Sequence, residues 1–252
     1  MRIIDFTVTT NRNIARDVFE LQFSIKHYAL SIKMCPGQFV NLLIDGHYLR
    51  RPISVCDWDG QTLTLIYKVV GQGTARLAQY KAGETINALT GLGNGYTIVP
   101  ASCPPAPSLL IGGGVGVPPL YYLAKELVKL GRKPIAVLGF RSAEDVFYEE
   151  EFKALCETIV VTEDGSYGQR GFATHAMADL DYDALYACGP EPMLRAIYDR
   201  AKELPPGHMQ LSFERRMGCG FGACMVCSCK TVTGYKRICL EGPVLTKEDI
   251  VW

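Results

Sequence analysis

Ser108-Leu109-Leu110-Ile111-Gly112-Gly113-Gly114-Val115-Gly116-Val117-Pro118-Pro119 is the stretch that decides the fold. Its first four residues form a short apolar run of the kind buried on both faces of a sheet. Glycines then break the run, and a helical segment over residues 120–130 follows until Gly131 stops it. Pro134-Ile135-Ala136-Val137-Leu138-Gly139-Phe140 reads as the next strand. Strand, glycine loop, helix, strand is a βαβ unit, and such units build a parallel sheet. The loop would let a pyrophosphate approach the backbone at a helix N-terminus. It departs from the G-x-G-x-x-G fingerprint, because Pro118 and Pro119 stand where that motif continues its helix. A plain strand-to-helix turn is the competing reading.

Downstream, residues 157–162 and 184–187 read as further strands of the same sheet. The second runs into Cys188-Gly189-Pro190-Glu191-Pro192-Met193-Leu194, a turn that would present a strand end to a ligand crevice. Cys188 alone reads equally well as buried filler. Upstream, residues 100–107 contain four prolines and read as an interdomain connection.

The first hundred residues have a different grammar. Ile3-Ile4-Asp5-Phe6-Thr7-Val8, Val18-Phe19-Glu20-Leu21-Gln22-Phe23, Cys35-Pro36-Gly37-Gln38-Phe39-Val40-Asn41-Leu42 and Leu63-Thr64-Leu65-Ile66-Tyr67-Lys68-Val69 are short β-type runs. Several at this spacing suggest a small antiparallel barrel, with residues 88–95 read as closing turns. Arg50-Arg51-Pro52-Ile53-Ser54 offers a forked guanidinium beside a hydroxyl, which suits a phosphate. Gly73-Thr74, opening a helical-looking segment over 75–80, would offer free N–H groups to an anion. A surface arginine and an ordinary strand-to-helix turn are the bland alternatives.

At the other end lies Cys219-Gly220-Phe221-Gly222-Ala223-Cys224-Met225-Val226-Cys227, followed after eleven residues by Cys239. C-x4-C-x2-C with a distant fourth cysteine is the plant-type [2Fe–2S] ligand pattern, although the final gap is short. Soft thiolates suit iron and sulfide. A zinc knuckle would also use four cysteines, but it usually pairs them as C-x2-C with C-x2-C. The metal ligands are therefore expected at Cys219, Cys224, Cys227 and Cys239, with Cys229 as a neighbour. The remaining five of the ten cysteines, Cys35, Cys56, Cys103, Cys156 and Cys188, are scattered and read as small buried side chains.

The bulk numbers narrow the class. The 252 residues allow one large or two ordinary domains, and 48% apolar content supports a real core. A formal net charge of zero argues against a nucleic-acid partner. The N-terminus lacks a signal-peptide pattern, and no apolar run approaches the ~18 residues of a membrane span. A soluble cytoplasmic protein is expected, with no membrane partner.

Taken together these motifs resemble the ferredoxin-reductase superfamily. Within it, a reductase module ending in a C-G-x-G-A-C-x-x-C loop looks like the electron-transfer subunits of class 1B dihydroorotate dehydrogenases. The resemblance implies an N-terminal antiparallel FAD-binding β barrel over residues 1–100. A central parallel-sheet α/β domain for NAD over 101–210 and a small [2Fe–2S]-binding domain over 211–252 would complete the chain. Arg51, Pro52, Ile53 and Ser54 would contact FAD, as would Ile66, Tyr67 and Lys68; Gly73 and Thr74 would meet its pyrophosphate. Ile53 stands where the wider superfamily usually has tyrosine, which weakens any ring-stacking role there. Gly112, Gly113, Gly114 and Gly116 would line the NAD(H) site, with Cys188, Gly189 and Pro190 near the nicotinamide. The implied partner is an FMN-containing dihydroorotate dehydrogenase catalytic subunit, in a heterotetramer of two plus two chains serving pyrimidine biosynthesis. No side-chain acid or base is required of this chain, because positioning dominates hydride transfer.

Two rivals stand beside that reading. The same cofactors could serve as the small subunit of an NADH-dependent ferredoxin:NADP oxidoreductase or of a sulfide dehydrogenase. A zinc-stapled interaction module without flavin is the non-enzymatic alternative. For the nicotinamide, NADH is the family expectation, while the local charges after the second strand conflict: Arg141-Ser142 precedes Glu144-Asp145.

Overall fold

The computed structural model describes residues 1–25, 33–100 and 106–252. Most of the proline-rich connection, and Cys103 with it, falls outside the described residues.

Six strands between Arg2 and Leu92 form a closed antiparallel barrel. Its strands are β1 (Arg2–Ala15), β2 (Val18–Ser24), β3 (Phe39–Leu42), β4 (Arg51–Trp58), β5 (Thr62–Lys68) and β6 (Thr85–Leu92). Around the barrel they run β1-β2-β5-β4-β3-β6, with helix α1 (Gln72–Leu77) between β5 and β6. Ile4, Phe6 and Val8 alternate inward along β1 and meet Leu21, Phe23, Leu63 and Leu65 in a filled interior. Closure gives every strand a neighbour on both sides. Residues 88–95 were expected to be turns, yet residues 88–92 belong to β6. Pairing with β1 on one side and β3 on the other overrides their weak local strand propensity.

The second half is a doubly wound sheet. Strand β7 (Ser108–Gly113) is buried along its whole length and enters a 3-10 turn at Gly114–Gly116. Helix α2 (Pro118–Lys129) follows directly. Pro118 and Pro119 start this helix rather than disrupt it, since the first helical N–H groups have no intrahelical acceptor to lose. Next come β8 (Pro134–Phe140), α3 (Glu149–Lys153), β9 (Glu157–Thr162), β10 (Gln169–Arg170) and α4 (Ala173–Ala176). Then follow β11 (Ala184–Cys188), α5 (Glu191–Ala201), β12 (Met209–Ser212), the hairpin β13 (Ser228–Thr231) and β14 (Gly234–Arg237), and β15 (Val244–Thr246). The sheet order is β10-β9-β8-β7-β11-β12-β15. Strand order therefore reverses between β7 and β11, the switch point where open α/β sheets bind ligands.

The cysteine segment is not a separate appendage. The boundary expected after residue 210 cuts β12, and β15 returns antiparallel to the same strand, pairing Val244 with Ser212 and Thr246 with Gln210. Residues 213–243 thus leave and re-enter one sheet. Cys227, Cys229 and Cys239 join the core beneath it with Leu211, Phe213 and Leu245.

Barrel and sheet share a further core, in which Val18, Cys56 and Ile66 of the barrel meet Leu110, Leu120 and Leu123. Ion pairs rim that contact: Lys125 with Asp57 at 2.6 Å, and Asp145 with both Arg16 at 2.5 Å and Lys68 at 3.5 Å.

Candidate functional site

The barrel is opened locally between β4 and β5. Their ladder runs from Trp58↔Leu63 only as far as Val55↔Leu65, with a register shift on the way. Beyond it, residues 51–54 pair with β3 and residues 66–68 pair with β2. The two strand ends face each other without ladder bonds, so unpaired backbone groups line a cleft, and buried groups of this kind need a partner. Arg51, Pro52, Ile53 and Ser54 lie along one side, half-buried. On the other side the side chains turn away. Ile66 is in the interdomain core; Tyr67 is in the barrel core, donating its hydroxyl to Asn11 Oδ1 at 3.1 Å; Lys68 pairs with Asp145. Residues 66–68 therefore offer backbone rather than side chains.

At the mouth of the cleft the Arg51 guanidinium lies directly over Gly73, where an added Cβ would come within 2.2 Å of its Nε. Thr74 Oγ1 accepts from the Val70 and Gly71 N–H groups at 2.9 and 3.2 Å. Its hydroxyl thus holds the loop, while the first N–H groups of α1 remain for an anion beside Arg51. Neighbouring Arg50 is engaged elsewhere, on Asn87 Oδ1 at 2.7 Å and the Asn41 carbonyl at 3.2 Å.

The switch point brings two glycine loops into contact. Gly112, Gly113, Gly114 and Gly116 follow β7; Cys188, Gly189 and Pro190 follow β11. A Cβ on Gly113 would strike Met193 Sδ at 2.8 Å, and one on Gly116 would strike the Cys188 carbonyl at 2.2 Å. Only bare backbone lets the loops close. Burial pushes the Cys188 thiol up to about 12, with Ser212 opposing, so it stays a neutral packing group. Beyond Pro190 lies a cavity of about 340 Å³ lined by Glu191, Phe213, Glu214 and Arg215. Glu144 and Asp145, which follow the second strand of the βαβ unit, both pair with Arg16 of the barrel.

In the cysteine loop the thiols associate in two pairs. The Cys219 N–H donates to Cys224 Sγ at 3.3 Å, and the Cys239 N–H donates to Cys227 Sγ at 3.4 Å. Ala223 N–H donates to Cys219 Sγ at 3.3 Å. Burial alone would raise the Cys219 thiol, but N–H groups from Phe221, Cys224 and Ala223 outweigh it and bring it down to about 6. Among the described residues no three His, Cys, Asp or Glu side chains converge closely enough to cage one ion. Two cysteine pairs match the donor set of a [2Fe–2S] cluster, in which each iron takes two cysteines. Cys224 is exposed, whereas Cys227 and Cys239 are buried. Cys229, on β13, points into the core.

Two residues of this region were not singled out in the sequence. Arg237 Nη1 donates to the Gly222 carbonyl at 2.7 Å and is itself held by Glu241 at 3.1 Å. Asn41, on β3 of the barrel, donates from Nδ2 to the Cys219 carbonyl at 3.2 Å. The arginine had no motif to mark it. The asparagine did carry a signal, as a polar residue inside the otherwise apolar Phe39-Val40-Asn41-Leu42.

Comparison with known proteins supplies the rest. Residues 214–251 match the iron-sulfur cluster binding domain of dihydroorotate dehydrogenase B, and residues 110–199 match an oxidoreductase NAD-binding domain. The dihydroorotate dehydrogenase B (NAD(+)) electron transfer subunit of Geobacillus kaustophilus (strain HTA426) is 46% identical over 97% of this chain and 97% of its own. The corresponding subunit of Fusobacterium nucleatum is 44% identical over 99% of each. Among solved structures, an NADH-dependent reduced ferredoxin-NADP oxidoreductase studied for flavin-based electron bifurcation superposes with a TM-score of 0.86. It is 29% identical, over 98% of this chain and 90% of that one. Phthalate dioxygenase reductase, at 15% identity and a TM-score of 0.67, shares the fold over 84% of this chain. With both domain matches in place and end-to-end identity of this order, the chain belongs to the family of dihydroorotate dehydrogenase B electron transfer subunits.

Proposed function

We propose that this chain moves electrons between NAD(H), FAD and a [2Fe–2S] cluster, and exchanges them with an FMN-containing catalytic subunit that oxidises dihydroorotate in pyrimidine biosynthesis. The carrying observation is the two-pair cysteine loop fastened directly onto the flavin barrel through Asn41 and Cys219. FAD, when bound, takes two electrons together and gives them up singly, which matches a hydride donor to a one-electron cluster.

Each part of the chain has a task in that scheme. Residues 51–54 and the backbone of 66–68 bind the flavin in the cleft between β4 and β5, and Arg51 with Gly73 and Thr74 hold its pyrophosphate. Gly112, Gly113, Gly114 and Gly116 let the NADH pyrophosphate approach the backbone, and Cys188, Gly189 and Pro190 orient the nicotinamide. Cys219 with Cys224, and Cys227 with Cys239, hold the cluster, while loop N–H groups stabilise its sulfurs. NADH is preferred to NADPH, in keeping with the NAD(+) in the relatives' names. The complex contains two copies of each subunit and works in the cytoplasm. Among the described residues no helix is long and apolar enough to cross a membrane.

The resemblance to the NADH-dependent ferredoxin-NADP oxidoreductase favours a second reading, in which the partner is a large iron–sulfur flavoprotein. Co-purification followed by cofactor analysis separates the two. One FAD and two irons per chain, with an FMN-containing partner, is the expected result. Zinc without flavin would end both readings.

A further inference from the structure

All four residues of β3 are buried, and Asn41, the polar one, is 1% exposed. Its backbone is built into the flavin-holding strand pair: it is the register partner of Pro52, and its carbonyl accepts from Arg50 at 3.2 Å. Its side chain leaves the barrel and reaches the cysteine loop, where Nδ2 donates to the Cys219 carbonyl at 3.2 Å. That acceptor fixes the orientation of the amide, because Oδ1 in the same place would set one acceptor against another. The consequence is an orphan: Asn41 Oδ1 is buried without a hydrogen-bond partner among the described residues. A leucine of similar shape would leave no such group, so packing alone does not account for the amide. The loop is shaped to receive it. Gly220 sits at φ +78, and a Cβ there would lie 2.2 Å from Asn41 Nδ2.

We infer that Asn41 is a positioning residue that sets the separation between the cluster ligand Cys219 and the flavin-holding pair β3–β4. The inference rests on the relay reading above. One strand pair carries both ends of the connection: Asn41 on β3 faces the ligand loop, and its register partner Pro52 on β4 belongs to the segment assigned to flavin. Two effects follow. Electron transfer falls steeply with distance, so a loop released from its anchor receives electrons from the flavin more slowly. A donor on the Cys219 carbonyl also polarises the peptide it shares with Gly220 and strengthens that N–H as a donor toward the cluster. Its loss weakens support for the more negative, reduced cluster and lowers the potential.

The test uses the full chain co-purified with its catalytic partner. Asn41→Asp keeps the size but turns an acceptor toward the Cys219 carbonyl, Asn41→Leu removes both polar atoms, and Gly220→Ala attacks the same contact from the loop. Anaerobic stopped-flow with NADH follows flavin bleaching and cluster bleaching separately, and the reduced cluster is read by EPR and potentiometry. The cluster phase should slow about twofold to tenfold relative to flavin bleaching in the same sample, the range carried by one net hydrogen bond. The EPR signal should change shape and the cluster midpoint should move negative. Iron lost from a variant that keeps its FAD also supports the inference, since the ligand has lost its anchor. A wild-type cluster phase with unchanged EPR and midpoint in all three variants overturns it, whatever happens to the melting temperature. Wild-type protein without flavin or iron would instead overturn the relay reading, before any variant is made.

Discussion

Replacing Gly116 by alanine should disable NADH-driven flavin reduction without harming the flavin. The added Cβ would lie 2.2 Å from the Cys188 carbonyl oxygen, 2.4 Å from its carbon and 2.7 Å from the Gly189 nitrogen. All three are backbone atoms with no rotamer to escape into. Ordinary contact needs roughly 3.4 Å or more, so the two loops must separate by about 1 Å, an overpacking cost of about 1–3 kcal/mol. A displacement of ~1 Å at a reacting centre can cost about 100-fold in rate. Gly114 is the internal control. Its φ of +53 disfavours a side chain, but none of the described residues lies within 4 Å of the added Cβ. Gly114→Ala should therefore bear only the left-handed backbone cost of about 1–2 kcal/mol. The assay is anaerobic stopped-flow absorbance of the flavin against NADH concentration. Photochemical reduction of the same samples bypasses the nicotinamide site and should be normal in both variants. If folded Gly116→Ala saturated with NADH at the wild-type rate and affinity, the loops at the switch point would not be the nicotinamide site.

Three further outcomes are expected. Cys224→Ser should retain NADH-driven flavin bleaching and lose electron transfer to the catalytic subunit; equal failure of flavin bleaching in an FAD-loaded mutant would mean the relay order is wrong. Cys188, half-buried and with its thiol pushed up by desolvation, should react with iodoacetamide slowly near neutral pH and faster as pH rises; mass spectrometry of the labelled chain reads this directly. Asp145→Asn should destabilise the chain by about 1–3 kcal/mol at pH 7 in urea titrations, since it leaves Lys68 and Arg16 without a buried carboxylate partner. Despite opposing desolvation, Arg16, Ser142 and Lys68 hold Asp145 below the ordinary carboxylate range. Its contribution is thus present above the unfolded value of about 3.9 and disappears as pH falls through the lower folded value, where mutant and wild type should converge.

How much of this was legible depends on whether a feature is local. The βαβ unit could be read because Ser108–Gly113, the glycine turn and Pro118–Lys129 are contiguous and each has its own signature. The cysteine spacing was legible for the same reason. What escaped was non-local pairing. Residues 88–92 look like turns until β1 and β3 are placed on either side of them. The early end of the β4–β5 ladder, which makes the cleft, is a matter of register that no single segment encodes. Beside Arg141, Glu144 and Asp145 read as conflicting charges, because their partner Arg16 is distant in sequence. Asn41 was visible as a polar residue in an apolar strand, but its contact with Cys219 lies 178 residues away.

The return of β15 to β12 has a bearing on how such chains can be re-engineered. A redox module hung on a flexible linker can be cut off, exchanged or allowed to roam in search of its acceptor. Here both ends of residues 213–243 are stitched into neighbouring strands of the nucleotide sheet, at Ser212 and Val244. Grafting the cluster from a relative therefore means exchanging an internal insert and keeping both stitches, whereas truncation before residue 244 would strip a strand from the sheet edge. The acceptor has to come to the cluster, because the cluster has no tether on which to travel.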